Sequence, residues 1–138
     1  MIVLLDTSVL SLTFRRRDPA LMSATQADVV ATVKRLALAQ NAALIGMVRQ
    51  ETLTGVRSTQ QFQRLRTILD GFVHIPSEWQ DHDSAAECFN RCRAGGVAPG
   101  DIDMLICAMA IRRSAAILTV DNDFHYYARH LPISLYQV

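Results

Sequence analysis

The sequence predicts an α/β protein, a three-layer α/β/α domain on a five-stranded parallel sheet. Two observations carry that prediction. Short apolar, partly β-branched runs alternate with longer stretches of helical periodicity, a pattern that makes parallel sheets covered on both faces. No internal repeat, low-complexity segment or linker interrupts residues 1–138, so they are read as one domain.

The elements follow in order. Ile2–Leu5 is the first expected strand, and Val9–Phe14 a helix opened by Asp6, Thr7 or Ser8 as cap. Arg15–Asp18 with Pro19 breaks it. Thr25–Gln40 is a helix with Val29, Val33, Leu36 and Ala37 on its apolar face. Ala43–Met47 is the second strand, and Arg49–Val56 and Thr59–Leu69 are helices split near Gly55–Ser58. Phe72–Ile75 is a third strand, stopped by Pro76. Ser77 and Glu78 open a helix that runs toward Gly95-Gly96. After Pro99-Gly100, Asp101–Ser114 is apolar on nearly every side, which predicts a buried helix. Ala116–Val120 is the fourth strand, Asn122–Arg129 a short helix and Ile133–Tyr136 the fifth strand.

At 138 residues the chain can bury about two-thirds of the surface its unfolded form exposes. Half of it is apolar and 20% charged, which excludes a disordered chain. No apolar run reaches the length of a membrane span. The apolar start lacks a basic segment and stops at Asp6, unlike a secretion signal. Cys88, Cys92 and Cys107 are odd in number and lack CxxC spacing, so neither a disulfide framework nor a zinc site is expected. These features predict a reduced, cytoplasmic protein.

Four acids stand out by their placement. Asp6 closes the first strand, Glu51 follows the second, Asp103 opens the most apolar helix and Asp121 closes the fourth strand. In open α/β sheets ligands bind outside the carboxyl ends of the strands. Carboxylates gathered there without a nearby Lys repel one another unless a cation joins them. The pattern therefore predicts a divalent-metal site. Taken singly, each acid has a structural alternative. Asp6 can cap a helix, and Glu51 can answer a helix dipole. Asp103 is sharper, because it shares a face with Ile106, Cys107 and Ala110 and has no Lys or Arg at i+4. Asp101 is expected to cap that helix or stand behind the ligands, and Asp123 to cap the last helix or reach a second ion.

Thirteen of the fourteen basic residues are Arg, the better bidentate partner for phosphate, and only Lys34 is Lys. Setting the four acids aside leaves nine acidic residues against fourteen basic ones. An acidic pocket on a mildly basic body suits a polyanion, although a solvated surface has the same composition. Arg15-Arg16-Arg17 reads either as phosphate contact or as a solvated turn. Arg112-Arg113 is expected to complement a helix C-terminus. His125, Tyr126 and Tyr127 read as packing for the terminal helix rather than as a base-stacking platform.

Asp6-Thr7-Ser8 after an apolar strand, Arg49-Gln50-Glu51-Thr52-Leu53-Thr54-Gly55, Asp103-Met104-Leu105-Ile106-Cys107-Ala108-Met109-Ala110 and Thr119-Val120-Asp121-Asn122-Asp123-Phe124 together resemble the successive motifs of PIN-domain ribonucleases. They most resemble the small VapC-type toxins of bacterial toxin–antitoxin pairs, over residues 2 to 124. Cys107 stands where that family more often has Ala, a change a helix core tolerates. The resemblance implies strand order 3-2-1-4-5, Mg²⁺- or Mn²⁺-dependent endonucleolytic cleavage of RNA leaving a 5′-phosphate, a homodimer, and inhibition by a small cognate antitoxin. Asp6 and Asp103 are then expected to bind the principal ion, with Glu51 and Asp121 completing the cluster. Ser8 and Thr119 would hold a carboxylate or a water. A non-catalytic RNA- or protein-binding module on the same fold is the alternative. A haloacid dehalogenase-like or receiver-like phosphotransferase fits less well, because Ser8 stands where the former needs a second Asp and Lys34 lies mid-helix.

Overall fold

In the computed structural model, which describes residues 1–15 and 18–138, the chain begins in the middle of its sheet. Strand β1 (Val3–Leu5) is wholly buried and pairs on both edges. On one side lies β2 (Ala42–Ile45), with Val3 opposite Ala42. On the other lies β4 (Ala116–Leu118), with Leu5 opposite Leu118. Strand β3 (Val73–Ile75) joins β2, and β5 (Ser134–Leu135) joins β4. All pairs are parallel and the order is 3-2-1-4-5, with helices covering both faces. Every residue of β1, β2 and β4 is buried, which is why they read as continuous apolar runs rather than alternating ones.

This order fixes where a ligand can sit. The chain builds outward from β1 to β2 and β3, then crosses over to lay β4 on the opposite side. The strand order reverses between β1 and β4, the place where ligands of such sheets bind. The Asp6 amide donates to the Leu118 carbonyl at 3.0 Å, so the two strand ends are tied together at that mouth.

Helix α1 (Thr7–Leu10) passes into a π-helical turn, Ser11–Arg15. Arg16 and Arg17 lie outside the described residues, so of that basic segment only the exposed Arg15 is placed. Helix α2 (Ala24–Leu38) opens with a reciprocal cap. The Gln26 amide donates to Ser23 Oγ at 3.1 Å, and the Ser23 amide donates to Gln26 Oε1 at 3.0 Å. Val29, Val33 and Leu36 face the core at the expected spacing.

Several boundaries move, with consequences for the acids. The second strand ends at Ile45 rather than Met47, because Gly46 already opens α3 (Gly46–Leu53). Glu51 therefore lies in the second turn of α3, beyond the N-terminal dipole expected to favour it. The fourth strand ends at Leu118 rather than Val120, so Asp121 stands on a loop instead of directly closing a strand. Helix α6 (Asp101–Arg112) has Gly100 at its cap position, which places Asp101 inside the first turn and not at the cap. Helix α7 (Asp123–Tyr127) likewise has Asn122 at its cap position and Asp123 as its first residue.

Helix α4 (Thr59–Asp70) connects α3 to β3, and α5 (Trp79–Ala94) packs along α6. Met104 to Ala110 of α6 are all buried, as the apolar sequence requires. Cys88, Cys92 and Cys107 are free and buried. Between α5 and α6 lies an acid that its sequence position did not reveal. Asp81 has no exposed side-chain surface, and it accepts from Arg112 at 2.6 Å and from Arg113 at 2.8 and 2.9 Å. The Glu78 amide donates to its other side at 2.8 Å. Arg112 and Arg113 thus serve the fold, as expected, but by clamping a buried carboxylate rather than by answering a dipole alone.

The Arg113 hydrogen bond holds the Asp81 carboxyl well below the usual carboxylate range, against the opposing effect of burial. A depressed acid stabilises the fold above its unfolded pKa and loses that contribution as pH falls below it. Asp81→Asn should lower stability at pH 7 by about 3 kcal/mol in urea unfolding, because two cations lose their buried partner. The deficit should narrow below pH 4.

Candidate metal centre

The loop after β4 wraps over the end of β1 and holds Asp6 there. Asp6 is 4% exposed, a cost that a carboxylate meets only with dedicated partners. Ser8 Oγ donates to Asp6 Oδ2 at 2.7 Å and Thr119 Oγ1 donates to the same oxygen at 2.8 Å. The two hydroxyls are in turn held by the loop backbone. The Val120 amide donates to Ser8 Oγ at 3.1 Å and the Asp121 amide to Thr119 Oγ1 at 2.9 Å. Asp6 occupies the cap position of α1 without a side-chain cap bond, so its carboxylate belongs to this cluster rather than to the helix. Burial nevertheless pushes its pKa up, with Ser8 and Thr119 pulling the other way.

Asp121 follows two residues later, and its Oδ1 accepts from the Asp123 amide at 2.9 Å. That turn sets Asp123 beside Asp121, and Asp103 reaches them from α6. One carboxylate oxygen from each of Asp103, Asp121 and Asp123 lies within 4.8 Å of the others. This tight trio differs from the expected arrangement. Asp123 is inside it, whereas Asp6 and Glu51 stand outside. Asp6 is drawn toward its two hydroxyls, and Glu51 projects from an exposed position on α3. Both are still close enough that their charges, with that of Asp121, oppose ionisation of Asp103. Of the four acids singled out in the sequence, Asp103 and Asp121 belong to the trio, while Asp6 and Glu51 reach Asp103 only through their charge. Asp101 is exposed and is not part of the trio.

The Asp103 pKa is pushed up to about 6, chiefly by burial. One group opposes that shift: the Tyr127 hydroxyl, which donates to Asp103 Oδ2 at 2.9 Å. Tyr127 packs as expected, 1% exposed and edge-to-face with Phe124, but its hydroxyl is a site contact that spacing did not reveal. The available signal was the missing partner of Asp103 on a buried helix.

Among the described residues, the ion pairs are Arg49–Asp70, Arg112–Asp81, Arg113–Glu78 and Arg113–Asp81. None involves Asp6, Glu51, Asp103, Asp121 or Asp123. No cation among the described residues pairs with them, and every donor in the set is a carboxylate oxygen. That chemistry fits a hard divalent ion such as Mg²⁺ or Mn²⁺.

The PIN domain family model matches residues 3–130, and the chain belongs to that family. Its fold is shared with chains in solved complexes. A chain of FitAcB from Neisseria gonorrhoeae aligns with a TM-score of 0.75 at 20% identity, covering 99% of this chain and 97% of that one. VapBC2 from Rickettsia felis, bound to a DNA fragment from its promoter, aligns at 0.74 and 18%, covering 99% and 98%. A toxin–antitoxin complex from Klebsiella pneumoniae aligns at 0.65 and 21%, covering 88% and 89%. No curated protein matches.

The raised pKa of Asp103 has a definite sign. Between the unfolded carboxylate value of about 4 and the folded value of about 6, the folded chain holds more protons. Ionising Asp103 thus weakens the metal-free fold as pH rises through that window. In EDTA, Asp103→Asn should melt several degrees above wild type at pH 7 and lose that advantage at pH 4. Mn²⁺ at pH 7 should raise the wild type alone. An Asn variant no more stable than wild type at pH 7 contradicts the electrostatic account.

Proposed function

We propose that this chain is a divalent-metal-dependent endoribonuclease, the toxin of a toxin–antitoxin pair. The observation that carries the reading is the carboxylate group at the β1–β4 crevice, unneutralised by any cation of the described residues. Membership of the PIN domain family and the fold shared with chains of toxin–antitoxin complexes support it.

In this reading Asp103, Asp121 and Asp123 hold the ion, with Asp6 and Glu51 completing the negative field around it. A Mg²⁺ or Mn²⁺ held by these carboxylates would supply an activated water at neutral pH and would stabilise charge on the attacked phosphate. The chain's own residues supply order. Ser8 and Thr119 hold Asp6, and the Asp123 amide holds Asp121, so the carboxylates meet substrate without first reorganising. Hydrolysis adds water at phosphorus, breaks the bond to the 3′-oxygen, and leaves a 3′-hydroxyl and a 5′-phosphate.

The basic side of the molecule suits the polyanion. Arg15, Arg57 and Arg64 line one cleft together with Phe14, Val56, Leu65 and Ile68. Phosphate of the substrate, or an acidic segment of the antitoxin, finds guanidinium groups there that form no ion pair among the described residues. Among the described residues no helix is long and apolar enough to cross a membrane. Action as a homodimer in the cytoplasm belongs to the same proposal.

Purified chain incubated with end-labelled RNA should cut in Mg²⁺ or Mn²⁺ and stop in EDTA. Asp6→Ala and Asp103→Ala should fall to background while keeping the wild-type circular dichroism spectrum. Full activity in either variant would falsify the assignment. RNA retained in EDTA and never cut in metal would instead favour a binding module.

A further inference from the structure

We propose that Tyr127 is a positioning residue of the metal centre, its hydroxyl holding the Asp103 carboxylate in the orientation that meets Asp121 and Asp123. The inference rests on the metal-centre reading and adds to it a residue outside the carboxylate set.

Three observations lead there. First, α7 directly follows the loop carrying Asp121 and begins at Asp123, so the loop and the helix together deliver two acids and the donor to the third. Second, the ring cannot turn away. Tyr127 is 1% exposed, and Phe124 meets it edge-to-face with centroids 5.2 Å apart and planes at 75°. A buried tyrosine hydroxyl needs a polar partner, and this one finds a carboxylate 24 residues away in the chain. Third, the donors to the three held acids are all neutral. Asp6 accepts from two hydroxyls, Asp121 from an amide and Asp103 from a phenol. A neutral donor claims one oxygen and stops the carboxyl group rotating, yet leaves the negative charge for a cation. An Arg or Lys in the same place would cancel it.

The same chemistry separates a positioning role from a packing role. Tyr127→Phe keeps the ring and its contact with Phe124 and removes only the donor. Outer partners of metal ligands typically contribute about tenfold or more to metal affinity. Mn²⁺ binding is read by the electron paramagnetic resonance signal of the free ion, on the full chain, beside thermal melts in EDTA. Tyr127→Phe should bind Mn²⁺ about tenfold more weakly while melting close to wild type. Tyr126→Phe, whose ring is exposed and lies under Arg129, should bind as wild type does. In an Asp103→Asn background the Tyr127 substitution should cost no further affinity, because it acts through that carboxylate. Equal Mn²⁺ affinity in wild type and Tyr127→Phe, or an equal loss in both backgrounds, overturns the positioning role and leaves the metal centre standing. A wild-type chain that binds no Mn²⁺ overturns both.

Discussion

Carboxylates brought together in a half-dry crevice repel one another, and that repulsion is the constraint around which this fold is arranged. Asp103 is driven toward protonation by its burial and by the charges of Asp6, Asp121 and Glu51. An arginine from within the chain would relieve the strain, and the fold has arginines to spare. It spends two of them on Asp81 instead, at the opposite end of α6 from Asp103, where the carboxylate is neutralised by direct ion pairing. The contrast between Asp81 and Asp103 separates a neutralised acid from one with no counter-charge among the described residues. Both are withdrawn from water, but only one is given a counter-charge.

Topology explains why the tension arises where it does. The parallel order 3-2-1-4-5 opens the crevice between β1 and β4, and the loop after β4 is threaded across it. Asp6 ends one wall and Asp121 leaves the other, while α6 and α3 bring Asp103 and Glu51 from the flanking layers. The loop's backbone amides hold hydroxyls, and the hydroxyls hold Asp6. Local stability and site geometry are thus written in the same hydrogen bonds.

Much of this was legible in the residues. The strands at the centre of the sheet are buried on both faces, so their apolar runs were plain, and the wholly buried α6 followed from its lack of a polar face. Asp6, Glu51, Asp103 and Asp121 were recognisable because each interrupts or follows an apolar element. Strand ends were not legible. Val120 is as β-prone as Leu118, but β4 stops at Leu118 where its partner Leu5 gives way to Asp6, and pairing rather than propensity sets the limit. Asp123 read either as a helix cap or as a ligand of a second ion, and its place beside Asp121 depends on an amide that no pattern marks. Tyr127 and Asp81 were hidden for a common reason. Their partners lie 24 to 32 residues away along the chain, beyond any helical or strand period.

The central claim is that these acids stand together to receive a cation. Anomalous diffraction from crystals of the metal-free chain soaked in Mn²⁺ tests it most directly. The account requires a manganese peak at direct coordination distance from Asp103, Asp121 and Asp123, with Asp6 and Glu51 around it. A well-ordered site without such a peak, at a pH where the carboxylates are ionised, would contradict it.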